Sequence, residues 1–170
     1  MPSVIATIKV KEDKLEEAKK ALEDALAQLR QQLQDEVLRS LEERFGAMLE
    51  KQKKISAKTR LIDMQKKEAL TANGVSSALA SRTAKQADGE FELAGEAHAS
   101  LKLLEEDGTT AVFPDFVAEL RDDLKKVGRR LQKNKTGKAS QSMQTEIEEM
   151  LKMLIDSLRQ QIEQGNGGEP

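Results

Sequence analysis

The chain has 170 residues, 34% of them charged, with a net charge of −2, one histidine, no cysteine, no tryptophan and no tyrosine. That balance excludes disulfides, thiolate chemistry and cysteine-ligated metals, and removes overall basicity as a reason to bind nucleic acid. Four phenylalanines are too few bulky side chains for a thick core, so thin helix-on-helix contacts are expected, and the length suits one domain or two small helical modules.

Residues 1–12 are the first segment. Val4 to Val10 is rich in β-branched residues, which favours an extended arm or a short strand. Its apolar run, Val4 to Ile8, is too short for a signal peptide, and no stretch approaches the roughly 18 apolar residues that cross a bilayer. The compartment stays open, an exported space included.

Asp13 is placed to cap a helix that should run to about Leu70. Its stripe reads Leu15, Ala18, Leu22, Ala25, Leu29, Leu33, Val37, Leu41, Phe45, Met48, Gln52, Ile55, Thr59 and Ile62. Steps averaging about 3.6 residues mark one face of a long, nearly straight amphipathic helix. Gly46 costs that helix about 1 kcal/mol of propensity and is a soft point. Acid-before-base pairs such as Asp63 with Lys67 read as a solvated face.

Asn73-Gly74 signals a turn. Val75 to Glu106 returns as a second helix lined by Ala78, Ala80, Ala84, Ala87, Ala94, Ala97 and Ala99, and weakened by Gly89 and Gly95. Small side chains bury little area, so this helix should be stable only when docked. Residues 13–106 are therefore expected to form a long helical hairpin, resembling an antiparallel coiled-coil arm.

After Asp107 to Thr110, Pro114 opens a third helix. Phe113, Val117, Leu120, Leu124, Val127 and Leu131 step by four and three, a heptad seam. A tight connection at Asn134 to Gly137 leads to a last helix, capped by Ser140 or Ser142. Its face is Met143, Ile147, Met150 or Leu151, Leu154, Leu158 and Ile162. This hairpin, residues 107–163, is expected to pack on the first half of helix 1, giving an all-α, three- to four-helix bundle. Residues 164–170, Gln-Gly-Asn-Gly-Gly-Glu-Pro, read as a flexible glycine-rich tail.

The block Asp107 to Leu124, followed by Lys135-Thr136-Gly137, resembles the C-terminal part of uncharacterised bacterial coiled-coil proteins with glycine-rich tails. The resemblance implies no activity and no functional residues; it implies longer, exported relatives. Residues 4–20 are also similar to the strand-then-helix opening of small ferredoxin-like monooxygenases, but the chain lacks the further strands that fold requires.

Chemistry is mostly excluded. His98 has no partners at ligand spacing and reads as a surface or interface residue. A di-metal bundle would need two Glu-x-x-His motifs, and position 95 is glycine. Thr136-Gly137-Lys138-Ala139-Ser140 fails as a phosphate loop, because Gln132 stands where a glycine is needed. Glu148-Glu149 are adjacent on a helix and point apart, unlike a catalytic carboxylate pair. No cofactor motif or small-molecule substrate site is legible, and a non-catalytic role is expected.

Two interaction surfaces are expected instead. The apolar stripe is longer than its intramolecular partners can cover, so Leu41, Phe45, Met48, Leu49 and Ile55 are the candidates for binding a second copy or another helical chain. The alternative is an anion-binding patch for nucleic acid or membrane lipid. It comprises Lys125, Lys126, Arg129, Arg130, Lys133, Lys135 and Lys138, with no acid among them. Cations also belong at a helix C-terminus for dipole reasons alone, and no aromatic residue interleaves them to stack on bases.

Overall fold

The computed structural model describes residues 3–69, 76–107 and 112–167. Within them the chain is all-α: α1 (Ser3–Ala69), α2 (Ser77–Asp107), α3 (Val112–Gln132) and α4 (Lys138–Gly167), with no strand among the described residues. The chain divides into two compact units, Met1–Glu36 and Val37–Pro170.

The expected strand at Val4 to Val10 is helical, and Asp13 lies inside α1 rather than capping it. β-Branched residues cost a helix only a few tenths of a kcal/mol each, and extending an existing helix needs no new nucleus. Gln164 to Gly167, expected to belong to a flexible tail, are helical, since α4 continues to Gly167; residues 168–170 lie outside the described residues. The expected Asn73-Gly74 turn and the Gly108 to Thr110 connection lie outside the described residues.

The described residues between Val37 and Gly167 form a four-helix bundle. Gln52 and Gln65 of α1 reach Glu90 and Arg82 of α2, so these helices run antiparallel. Arg121 of α3 meets His98 of α2, and Gly128 lies against Phe91, which sets a second antiparallel pair. Glu42, Thr59 and Asp63 of α1 bond Arg159, Gln144 and Gln141 of α4, a third. The order is up-down-up-down, as short connections dictate.

The α3/α4 hairpin therefore packs on the second half of α1, from Leu38 to Lys66, and not on the first half as expected. The reason is side-chain size. Leu38, Leu41, Phe45, Met48 and Leu49 supply bulk that three helices can share, whereas the earlier stripe alternates leucine with Ala18 and Ala25. The α3 seam is buried along its whole length, Phe113 to Leu131. On α4 the buried choice is Leu151, with Met150 half-buried. The buried face of α2 carries Leu79, Leu93, Leu101 and Leu104 beside Ala87, Ala94 and Ala97, while Ala78, Ala84 and Ala99 are exposed.

Close approach explains two glycines. A Cβ on Gly89 would stand 2.9 Å from Ile55 Cδ1, and one on Gly128 would stand 3.0–3.1 Å from the Phe91 ring. Gly89 thus lets α2 lie tightly on α1, and Gly128 does the same for α3 on α2.

Candidate functional site

The five side chains expected to bind a partner are internal. Leu41, Phe45 and Met48 are at most 1% exposed, and Leu49 and Ile55 are also buried, all in one core with α2, α3 and α4. The periodicity identified an apolar face correctly; its cover comes from the chain's own later helices.

Exposed apolar surface lies earlier on the same helix. Between Val4 and Leu33, Val4, Ile5, Ile8, Val10, Leu15, Leu22, Leu26, Leu29 and Leu33 each keep half or more of their surface open, with Ile5 at 72% and Leu15 at 70%. Ile8, Leu15, Leu22 and Leu29 recur every seven residues, which places them on one line along the helix. This is the largest run of exposed large hydrophobics among the described residues.

A second feature is buried and polar. Gln52 of α1, Glu90 of α2 and Gln144 of α4 are each no more than 1% exposed. Gln52 Nε2 donates to Glu90 Oε1 at 2.9 Å and to Ser56 Oγ at 3.2 Å. Gln144 Nε2 donates to the same Glu90 oxygen at 3.1 Å and to Thr59 Oγ1 at 3.0 Å. Thr59 Oγ1 in turn donates to the Ile55 carbonyl at 2.8 Å. Burial pushes the Glu90 carboxyl up to about 7 against the pull of the two amide donors, and Glu148 adds a like charge.

Gln52 Oε1, Glu90 Oε2 and Gln144 Oε1 have no protein partner. A proton on Oε2 turns one of these three acceptors into a donor, so the neutral acid suits the cluster better than the carboxylate. A polar contact that joins three helices at one level fixes their register, because sliding any helix would leave its members unpaired. Among the described residues no group of three or more acidic or histidine side chains is placed to hold a metal ion.

The sequence pattern places Gln52 and Thr59 on the stripe but does not single out Glu90 and Gln144. The signal was available. Glu90 falls in line with Thr83, Ala87, Ala94 and Ala97, and Gln144 with Ser140, Ile147 and Leu151, so polar residues occupy seam positions on three helices.

The α3–α4 connection shows how the basic run is arranged. Asn134 adopts φ 60°, Lys135 N–H donates to Arg130 C=O at 3.0 Å, and Asn134 N–H donates to Leu131 C=O at 2.9 Å. These are the bonds of a Schellman motif. The loop is latched to α1: Thr136 Oγ1 and Gln141 Nε2 donate to the Asp63 carboxylate, and Lys66 Nζ donates to the Asn134 carbonyl at 2.7 Å. Desolvation lowers the Lys66 pKa, with Asp63 opposing it. Ser140 does not cap α4; its hydroxyl donates to the Lys135 carbonyl and accepts from Arg130 Nε.

Around this connection Lys126, Arg129, Arg130, Lys133 and Lys135, with Met143, line an open depression of about 370 Å³. The structure thus gathers five of the seven expected cations; Lys125 and Lys138 are exposed but do not line it. Asp123 stands nearby; burial raises its carboxyl pKa, and Lys126 opposes that rise. His98 Nδ1 accepts a 3.1 Å hydrogen bond from the Arg121 guanidinium on the α2–α3 surface, the role expected of an interface histidine.

No helix among the described residues is long and apolar enough to cross a membrane. Comparison with protein-family models, curated proteins and solved structures gave no match.

Proposed function

We infer that this is a non-catalytic helical interaction protein that associates with itself through the apolar stripe of α1 between Val4 and Leu33. The observation that carries this reading is the set of nine aliphatic side chains in that span, each half or more exposed. A water-facing apolar line of this length is costly to leave bare, and a helix covers such a line by pairing with another helix. The four-helix bundle of residues 37–167 supplies the stable body, with its register fixed by the Gln52–Glu90–Gln144 contact.

Leu15→Glu combined with Leu22→Glu is the test. Sedimentation of the wild-type chain, followed by refractive index because tryptophan and tyrosine are absent, should give a multiple of 18.9 kDa. The double variant should sediment as a monomer with the thermal transition of the bundle unchanged. A wild-type monomer, or an oligomer that survives both substitutions, overturns the reading.

A second reading rests on the basic depression at the end of α3: peripheral binding to an anionic surface. Five cations around one depression support it. Retention on DNA, RNA or anionic vesicles that weakens steeply with salt is its expected signature. No retention at low salt removes it.

A further inference from the structure

We propose that the α1 stripe pairs with a second copy of this chain in antiparallel orientation, centred near residue 20, so that Leu15 and Leu22 lie opposite Ala25 and Ala18. The proposal rests on the self-association reading above and adds the partner's direction and register. Three features of residues 4–36 carry it.

The first is size. Ile8, Leu15, Leu22 and Leu29 occupy one seam position of consecutive heptads, and Val4, Lys11, Ala18, Ala25 and Gln32 occupy the other. A parallel pair stacks like on like. It would place Ala18 on Ala18 and Ala25 on Ala25, leaving gaps between leucine layers. An antiparallel pair mixes the two positions in every layer. Centred at residue 20, it sets Leu22 against Ala18, Leu15 against Ala25 and Ile8 against Gln32. Large then meets small, which fills the seam at an even helix separation.

The second is charge at the seam. Parallel pairing puts Lys11 directly on its own copy and Lys14 beside Lys19 of the other chain, the latter twice by symmetry, three like-charge contacts in all. Antiparallel pairing moves Lys11 opposite Leu29, where its aliphatic stem covers the leucine and its ammonium reaches water. The Lys19 pair at the two-fold axis is the like-charge contact that remains, and Glu16 and Glu23 flank it on the same helix.

The third is charge along the segment. Residues 1–20 carry five lysines and four acids, a net +1, whereas residues 21–36 carry one arginine and four acids, a net −3. Antiparallel pairing sets the positive half of each segment beside the negative half of the other, and opposes the helix dipoles. The register centred at residue 20 also keeps every layer within residues 4–36, clear of the buried positions that begin at Leu38.

The absence of native cysteine makes the test direct. Full-length Ile8→Cys and Gln32→Cys variants are mixed in equal amounts and oxidised, and the linked peptides are identified by mass. Because only facing positions reach bridging distance, the 8–32 disulfide should exceed the 8–8 and 32–32 products by about tenfold. Dominant 8–8 and 32–32 products overturn the orientation and leave self-association standing. A monomeric chain with no cross-link above that seen in urea overturns both.

Nitroxides on the surface variants Lys9→Cys and Lys20→Cys give a second readout that leaves the seam intact. At about 1.5 Å per residue, the two Lys9 labels should lie about 33 Å apart along the axis and the two Lys20 labels side by side. Equal distances at both positions sink the antiparallel register.

Discussion

The two stretches of α1 share an apolar period and differ in what covers it. Leu41, Phe45 and Met48 are at most 1% exposed, whereas Leu15 and Leu22 are 70% and 66% exposed. Periodicity sets which side of a helix is apolar, but the size of the residues on that side decides what packs there. From Leu38 to Leu49 the stripe holds a phenylalanine, a methionine and three leucines, and α2, α3 and α4 close over it. From Ile8 to Leu29 it alternates leucine with lysine or alanine, a surface suited to one narrow helix. The same amphipathic helix thus builds a core in one part and leaves its apolar side chains exposed in the other.

The largest expected effect separates those roles. Phe45→Ala should destabilise the bundle by about 3–5 kcal/mol, the range for truncating a fully buried phenylalanine. Leu22→Ala should change bundle stability by less than about 0.5 kcal/mol, as surface substitutions do. Urea titration followed by circular dichroism at 222 nm, with each variant held at one concentration, reads both. A Leu22→Ala loss as large as that of Phe45→Ala would erase the distinction between core and seam.

The next effect belongs to the bundle alone. Glu90 titrates near 7 when folded, against 4.5 for the free side chain, so the folded state holds its proton over that interval and the unfolded state does not. Stability from this group is therefore full below pH 4.5 and falls as pH rises through about 7. The interval corresponds to about 3 kcal/mol, lost by pH 8. Glu90→Gln removes the titration and should flatten that part of the pH–stability curve while leaving self-association through Val4 to Leu33 unaltered. A wild-type curve with no downward slope between pH 5 and pH 7.5 contradicts the buried-acid account.

Helix existence, the α3 seam and most of the α4 face were legible because each depends on local period alone. Phe113, Val117, Leu120, Leu124, Val127 and Leu131 were read as one line and are all buried. The strand reading of Val4 to Val10 failed because a small local preference competed with a helix already formed beside it. The five partner-binding candidates are buried for a different reason. An apolar face on Leu41 to Ile55 looks the same in sequence whether another chain or the chain's own α2, α3 and α4 cover it. Glu90 was illegible because one glutamate in a chain with 30 acidic residues stands out only once three helices meet at its level.

The smallest effect concerns two glycines that sequence alone treats alike. A Cβ on Gly128 would stand 3.0–3.1 Å from the Phe91 ring, so Gly128→Ala must push that ring or separate α3 from α2. Overpacking of this kind costs about 1–3 kcal/mol. A Cβ on Gly46 would meet nothing within 4 Å. Gly46→Ala should therefore gain the helix-propensity difference, up to about 1 kcal/mol, and raise the urea midpoint. Opposite signs for the same chemical change would place tight helix contact at Gly128 and open space at Gly46. A loss at Gly46 would mean that this turn of α1 is covered by something the bundle itself does not supply.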